Sequence, residues 1–176
     1  MVAKFGDGVG VTLGDVSGNI NESWGFRNNT TITEFNELGL FTNVTKISNG
    51  EYAFYQASNL QQIDLRNITE IGSSDSRAFY GCSNLTSVGN TSNLQIVGKD
   101  AFKNCTSLTS IDLSNCTNIG SYAFESCRSL TSIDLSNCTT IGGSAFYNCS
   151  GLTNVTFPSV NYTLGDKAFY GCTALA

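Results

Sequence analysis

The side chains of this 176-residue sequence that could do chemistry fall into repeating positions. Cys82, Cys105, Cys127, Cys149 and Cys172 follow one another at intervals of 23, 22, 22 and 23 residues, and Cys116 and Cys138 form a second series 22 apart. Thiolates ligate metals and attack electrophiles, and paired thiols oxidise to disulfides. Yet Ala57 stands in the first series one repeat earlier, and Ile68, Leu94 and Val160 stand in the second. A position that accepts Ala, Ile, Leu or Val is an apolar slot, and cysteine fills such slots as a small hydrophobe. The expected arrangement is a ladder of buried thiols. The odd total and the absence of C-x-x-C argue against a planned disulfide framework. Rungs about 4.8 Å apart nevertheless fall inside the Cα window for a disulfide, so bridges between neighbours stay open.

Asp112 and Asp134 occupy matching positions, with Asp64 further along. Two carboxylates about 5 Å apart could hold calcium or a cationic group, or act as an acid–base pair. Thr156 and Gly89 fill the equivalent positions elsewhere, which favours a solvated face. The string Gly6-x-Gly8-x-Gly10 lacks the strand-and-helix context of a phosphate loop. There is no histidine anywhere. Its absence removes Ser-His-Asp and Cys-His catalysis and His-ligated zinc. No enzyme activity, metal or cofactor is expected.

Charged residues make up only 13% of the chain, and 19 Asn, 21 Ser and 19 Thr stand in their place. Nine scattered cations against a net charge of −5 do not make a nucleic-acid surface, which needs clustered Lys and Arg. No stretch approaches the roughly 18 apolar residues of a membrane span. The opening Met1 to Gly10 carries one Lys and no long apolar run, so it does not read as a Sec signal.

One repeating unit must position all these groups. Ala-Phe recurs at Ala53-Phe54, Ala78-Phe79, Ala101-Phe102, Ala123-Phe124, Ala145-Phe146 and Ala168-Phe169, at spacings of 25, 23, 22, 22 and 23 residues. From Ala101 the chain reads A-F-K-N-C-T-S-L-T-S-I-D-L-S-N-C-T-N-I-G, and from Ala123 it reads A-F-E-S-C-R-S-L-T-S-I-D-L-S-N-C-T-T-I-G. In L-T-S-I-D-L, Leu108, Ile111 and Leu113 should point inward while Ser110, Asp112 and Ser114 face solvent, as in a short strand. Ile119-Gly120 closes a second extended piece, and the Ala-Phe segment turns the chain back. One coil of about 22 residues buries too little apolar surface to offset its ordering entropy. Stacked coils share ladder hydrogen bonds and cover each other's edges, so a solenoid is expected. Its Phe column should lie in the core, and Tyr55, Tyr80, Lys103, Glu125, Tyr147 and Tyr170 should form an outward row.

The motif A-F-x-x-C-x-x-L-x-x-I-x-L, followed by I-G, resembles the BspA-like leucine-rich repeat over about residues 30–176. The resemblance implies a β-rich leucine-rich repeat solenoid. Its coils are right-handed, with a parallel sheet on the concave face and short turns or single-turn helices on the other side. The family often has Pro after the strand leucine; Phe157-Pro158 keeps it, whereas Arg66, Ser114 and Ser136 replace it. Residues 1–30 read as an N-terminal cap, with Trp24 and Phe26 able to cover the first coil. Residues 31–176 read as an array of about six coils, the last cut short. The first of these is degenerate, with Ile32, Phe35, Val44 and Ile47 in the apolar slots.

The resemblance also implies a non-enzymatic binding or adhesion module at the bacterial cell surface, with a protein or glycan as partner. The residues expected to carry binding are Ser110, Asp112, Ser114, Ser132, Asp134 and Ser136 on the concave face. Nucleic acid and membrane insertion are excluded, and a neighbour is expected at the open C-terminal edge. The alternative is a structural or receptor-binding part of a phage virion, suggested by the Met start without a Sec signal and by a last coil that stops short.

Overall fold

The computed structural model describes residues 2–5, 9–12, 18–20, 26–36, 38, 43–47, 53–72, 77–159 and 161–175. Strands β1 (Val2–Phe5) and β2 (Val9–Thr12) form an antiparallel hairpin. All later pairings are parallel, and the chain winds as a right-handed β-solenoid. Trp24 lies outside the described residues.

Two ladders run along the solenoid. The continuous one is a seven-stranded sheet of β3 (Gly18–Ile20), β5 (Val44–Ile47), β7 (Glu70–Ile71), β9 (Ile96–Val97), β10 (Asn118–Ile119), β12 (Thr140–Ile141) and β14 (Thr163–Leu164). It is built from the I-G segments. The other ladder, built from L-x-x-I-x-L, is split into β4 (Glu34–Phe35), β6 (Gln62–Asp64) and β8 (Ser87–Gly89), and β11 (Ser132–Asp134) with β13 (Asn154–Thr156). Between these two groups only an isolated Ser87–Ser110 bridge remains.

Two expectations are therefore corrected. The main sheet does not lie on the L-x-x-I-x-L side; the segments expected to be subsidiary carry the unbroken sheet. Part of the break is local. At Asn90 the backbone adopts φ +56°, and the Asp112 carbonyl receives the Thr91 hydroxyl at 2.7 Å instead of a backbone N–H. The second correction concerns the return side. No α-helix occurs there among the described residues; the chain makes successive tight turns. Asp100 and Asn104 flank Ala101-Phe102-Lys103 with φ of +56° and +63°, and Tyr122 and Ser126 repeat the pattern at +60° and +62°. An α-helix cannot contain left-handed residues four apart, so the turn cannot propagate.

Inside these ladders lies one continuous core, with Leu108, Ile111, Leu113 and their counterparts buried. Phe54, Phe79, Phe102, Phe124, Phe146 and Phe169 stack with centroids 5.0–5.3 Å apart and planes within 9° of parallel. Phe26 adds one more ring, 5.4 Å from Phe54, and its N–H donates to Ala53 as later Phe residues donate to the next Ala. In the preceding-coil slots expected from sequence, Phe35, Val44 and Ile47 are buried and Ile32 is partly so.

At Gly120 and Gly142 the glycine of I-G is required by closeness rather than by φ. A Cβ on Gly120 would lie 2.5 Å from the Lys99 nitrogen, and one on Gly142 would lie 2.5 Å from that of Ser121. On Gly143, by contrast, the nearest atom would be 3.5 Å away. Gly120→Ala and Gly142→Ala are each expected to cost at least about 2 kcal/mol in chemical denaturation. Gly143→Ala should stay within about 0.5 kcal/mol of the parent. Equal stability of all three variants would contradict the close packing of the coils.

Candidate binding surface

The polar composition becomes a set of ladders once the coils are stacked. Asn93, Asn115 and Asn137 donate their side-chain amides to the carbonyls of Arg66, Ser92 and Ser114 in the preceding coil, at 2.6, 2.9 and 2.6 Å. Thr86, Thr109, Thr131 and Thr153 donate their hydroxyls to Gln61, Thr86, Thr109 and Thr131, at 3.1, 3.2, 3.5 and 3.0 Å. Neutral side chains satisfy backbone acceptors here without the desolvation that charges would suffer. These ladders were missed in the sequence. The signal was there, as the same amide or hydroxyl residue recurring at one slot.

The thiols do the same work inside. Cys82, Cys105, Cys127, Cys149 and Cys172 each donate a hydrogen bond from Sγ to the carbonyl of Phe54, Phe79, Phe102, Phe124 and Phe146, at 2.9–3.2 Å. The same carbonyls accept the N–H of the residue three positions on in their own coil, as Cys82 N–H does with Phe79. Cysteine is thus both filler and donor, which alanine at position 57 cannot be. All seven cysteines are free and buried, so the bridges left open by the spacing do not form. Burial pushes the Cys82 thiol up to about 12 and raises Cys105 and Cys127 above the ordinary thiol range. Among the described residues no group of three or more Cys, Asp or Glu could hold a metal ion.

The six residues singled out on the strand face are spread over two adjacent coils. Ser110 is exposed at the bridge to Ser87, and Ser132 is exposed on β11. Asp112 is exposed and Asp134 half-buried. Each aspartate turns one carboxylate oxygen back to the chain: Asp112 accepts the Ser114 N–H and Asp134 the Ser136 N–H, both at 2.9 Å. Ser114 and Ser136 are half-buried. Asp64, in the same register, is buried and accepts hydrogen bonds from Arg66 and Asn90. The aspartates end the strand by holding the turn.

The outward row beside the Phe column is more tightly coupled than a set of separate side chains. Tyr55 stacks on Tyr80 at 5.1 Å and Tyr147 on Tyr170 at 5.2 Å. Between them Lys103 and Glu125 form a 2.8 Å ion pair, and Arg27 lies over Tyr55. All but Tyr170 are half-buried. Each stacked tyrosine covers one face of its neighbour.

A family model described as "BspA type Leucine rich repeat region (6 copies)" matches residues 18–75 and 48–176. The chain belongs to this family. A search of curated proteins finds no match. Three solved structures are similar. A leucine-rich repeat protein from Bacteroides ovatus is 34% identical, with a TM-score of 0.61, over 75% of this chain and 36% of that one. A leucine rich cell surface protein from Faecalibacterium prausnitzii is 28% identical, with a TM-score of 0.61, over 76% of this chain and 42% of that one. The T. pallidum leucine rich repeat protein is 24% identical, with a TM-score of 0.55, over 76% and 72%, and speaks to the fold alone. The chain spans less than half the length of the first two. The array is a solenoid of BspA-type leucine-rich repeats, and nothing in these relatives favours the virion reading. No helix among the described residues is long and apolar enough to cross a membrane.

Two measurements follow from this geometry. With the chain reduced beforehand and the reductant removed, near pH 8 the native thiols should resist a disulfide-exchange reagent for many minutes, then all seven react on denaturation. Rapid native titration of several thiols would contradict their burial. The second measurement uses acid. The Ser114 backbone N–H, then its hydroxyl, holds Asp112 below the ordinary aspartate value. At Asp64 burial opposes ionisation, but the hydrogen bonds from Arg66 and Asn90 outweigh it. Both folded-state values are depressed, so their stabilisation is complete above the unfolded-state value and is lost as pH falls through the folded one. The denaturation midpoint should therefore drop below about pH 4, and Asp112→Asn should shallow that drop. An unchanged slope in this variant would contradict the turn-holding role.

Proposed function

We propose that this chain is the recognition surface of a bacterial surface protein, and that it binds a protein or an uncharged glycan through the strand face around Ser110, Asp112, Ser114, Ser132, Asp134 and Ser136. The observation that carries this reading is the fixed geometry of that face. Each aspartate is pinned by its turn, and the neighbouring threonines are held by the coil before. Side chains already immobilised lose little further entropy when a partner docks. The F. prausnitzii relative, described as a cell surface protein, supports the location. Residues 1–30 serve, on this proposal, to close the N-terminal end, where Phe26 meets the first ring of the array.

The test is binding of the purified chain to a printed glycan array and to immobilised extracellular-matrix proteins. Asp112→Asn/Asp134→Asn keeps an acceptor for each turn while removing the charge, so the fold should survive. A ligand recognised through this face should bind that double variant at least about tenfold more weakly. Full affinity in the folded double variant would move the site elsewhere on the solenoid.

A further inference from the structure

The threonine row on the strand face has a polarity of its own. Thr86, Thr109 and Thr131 are exposed, and each spends its one hydroxyl hydrogen on a carbonyl of the coil before. Thr153 continues the row in the same way. A hydroxyl that has donated its hydrogen can only accept. The row therefore presents one acceptor oxygen per coil. It stays continuous across the break in the backbone ladder, where Ser87 and Ser110 keep only a bridge. Beside it Ser87, Ser110 and Ser132 form a second exposed row of hydroxyls. Further along the strand stand Asp112 and Asp134, whose ionised carboxylates accept and never donate. What fits this face must bring a donor to every coil and carry no negative charge.

The spacing narrows the occupant further. Successive coils stand 5.0–5.3 Å apart at the Phe column. A β-strand laid along the axis repeats its same-side groups at about 6.6 Å and falls out of step within two coils. An α-helix has a pitch of about 5.4 Å, close to the coil spacing, but it docks through an apolar stripe, and these rows are hydroxyls. A hexopyranose chain with β-1,4 linkages meets both demands. Its linking bonds leave each ring equatorially from opposite ends, so the chain runs straight and advances by about one coil spacing per ring. Each ring carries hydroxyls on both edges, so a donor reaches every coil even though successive rings are turned over.

We infer, building on the strand-face reading above, that the ligand of this face is an uncharged β-1,4-linked hexopyranose chain. It lies along the solenoid axis, one ring to a coil, with sugar hydroxyls donating to Thr86, Thr109 and Thr131. The serine row supplies the adjustable second contact, since a serine hydroxyl rotates to donate or accept. An α-1,4 chain bends at every axial bond and leaves the rows after a coil or two. A polyuronate meets Asp112, Asp134 and a net charge of −5. The threonines are already held by the preceding coil, so they lose little freedom when the sugar docks.

The full chain is titrated calorimetrically with cello- and manno-oligosaccharides of two to six rings, against malto-oligosaccharides of the same lengths. Affinity for at least one β-1,4 series should climb at least about tenfold from two to four rings and then level off, with the α-1,4 series at least about tenfold weaker at equal length. Thr109→Val/Thr131→Val removes two acceptors with little change of shape and should weaken binding at least about tenfold. Thr117→Val/Thr139→Val removes the same kind of ladder hydroxyl from the seven-stranded sheet side and should leave binding unchanged. Equal binding of the two linkages, affinity flat with length, or binding to matrix proteins alone would overturn the sugar assignment while leaving the strand face in place. Length- and linkage-dependent binding kept in full by both Thr109→Val/Thr131→Val and Asp112→Asn/Asp134→Asn would instead remove the face itself, and the sugar with it.

Discussion

The strand segments and alternate turn residues of each coil find their backbone partners one coil away, while short-range bonds close the turns within it. A coil has no internal ladder, and its short strands and turns leave N–H and C=O groups that only a neighbour about 5 Å distant can reach. The neighbours make the match in two opposite directions. On the sheet side each coil donates back, as Gly120 does to Val97, and on the return side it donates forward, as Phe102 does to Ala123. This exchange fixes one spacing for the whole array, and the Phe centroids record it at 5.0–5.3 Å. Glycine after β9, β10, β12 and β14 follows, because no Cβ fits at Gly98, Gly120, Gly142 or Gly165 between coils so close.

The same spacing explains the composition. Once coils repeat in register, a residue type that can bond to the carbonyl before it is favoured in every turn. Asn93, Asn115 and Asn137 do so on the surface, and Cys82 through Cys172 do so in the core. A chain rich in Asn, Ser and Thr and poor in charge is therefore what the architecture asks of its surface. Such a face offers a partner hydroxyl and amide groups in fixed rows. Strong long-range steering is absent, which suits recognition by close complementarity rather than by charge.

Much of this was legible in the sequence. The Ala-Phe spacing gave the solenoid, and the apolar substitutes at the cysteine positions gave buried thiols. The alternation in L-T-S-I-D-L placed Leu108, Ile111 and Leu113 inside. Periodicity could not tell which extended segment would carry the unbroken sheet. That depended on Asn90 adopting positive φ and on Thr91 claiming the Asp112 carbonyl, both of which are local hydrogen-bond choices. Of the short turns or single-turn helices expected on the return side, only turns occur among the described residues, for a similar reason. Asp100, Tyr122, Ser144 and Lys167 share a left-handed conformation but no residue type, so no single symbol announces it. At the strand face, the aspartates were seen as a pair facing solvent. Their hold on the Ser114 and Ser136 amides emerges only when the turn is built.

Amide hydrogen exchange along the return side tests the mutual dependence of the coils most directly. The N–H groups of Phe102, Asn104, Phe124 and Ser126 are donated to the following coil, whereas those of Ser107 and Ser129, a few residues on, meet no backbone acceptor among the described residues. The account predicts strong protection of the first four and rapid exchange of the last two. Uniform protection, or uniform exchange, across the six would contradict it.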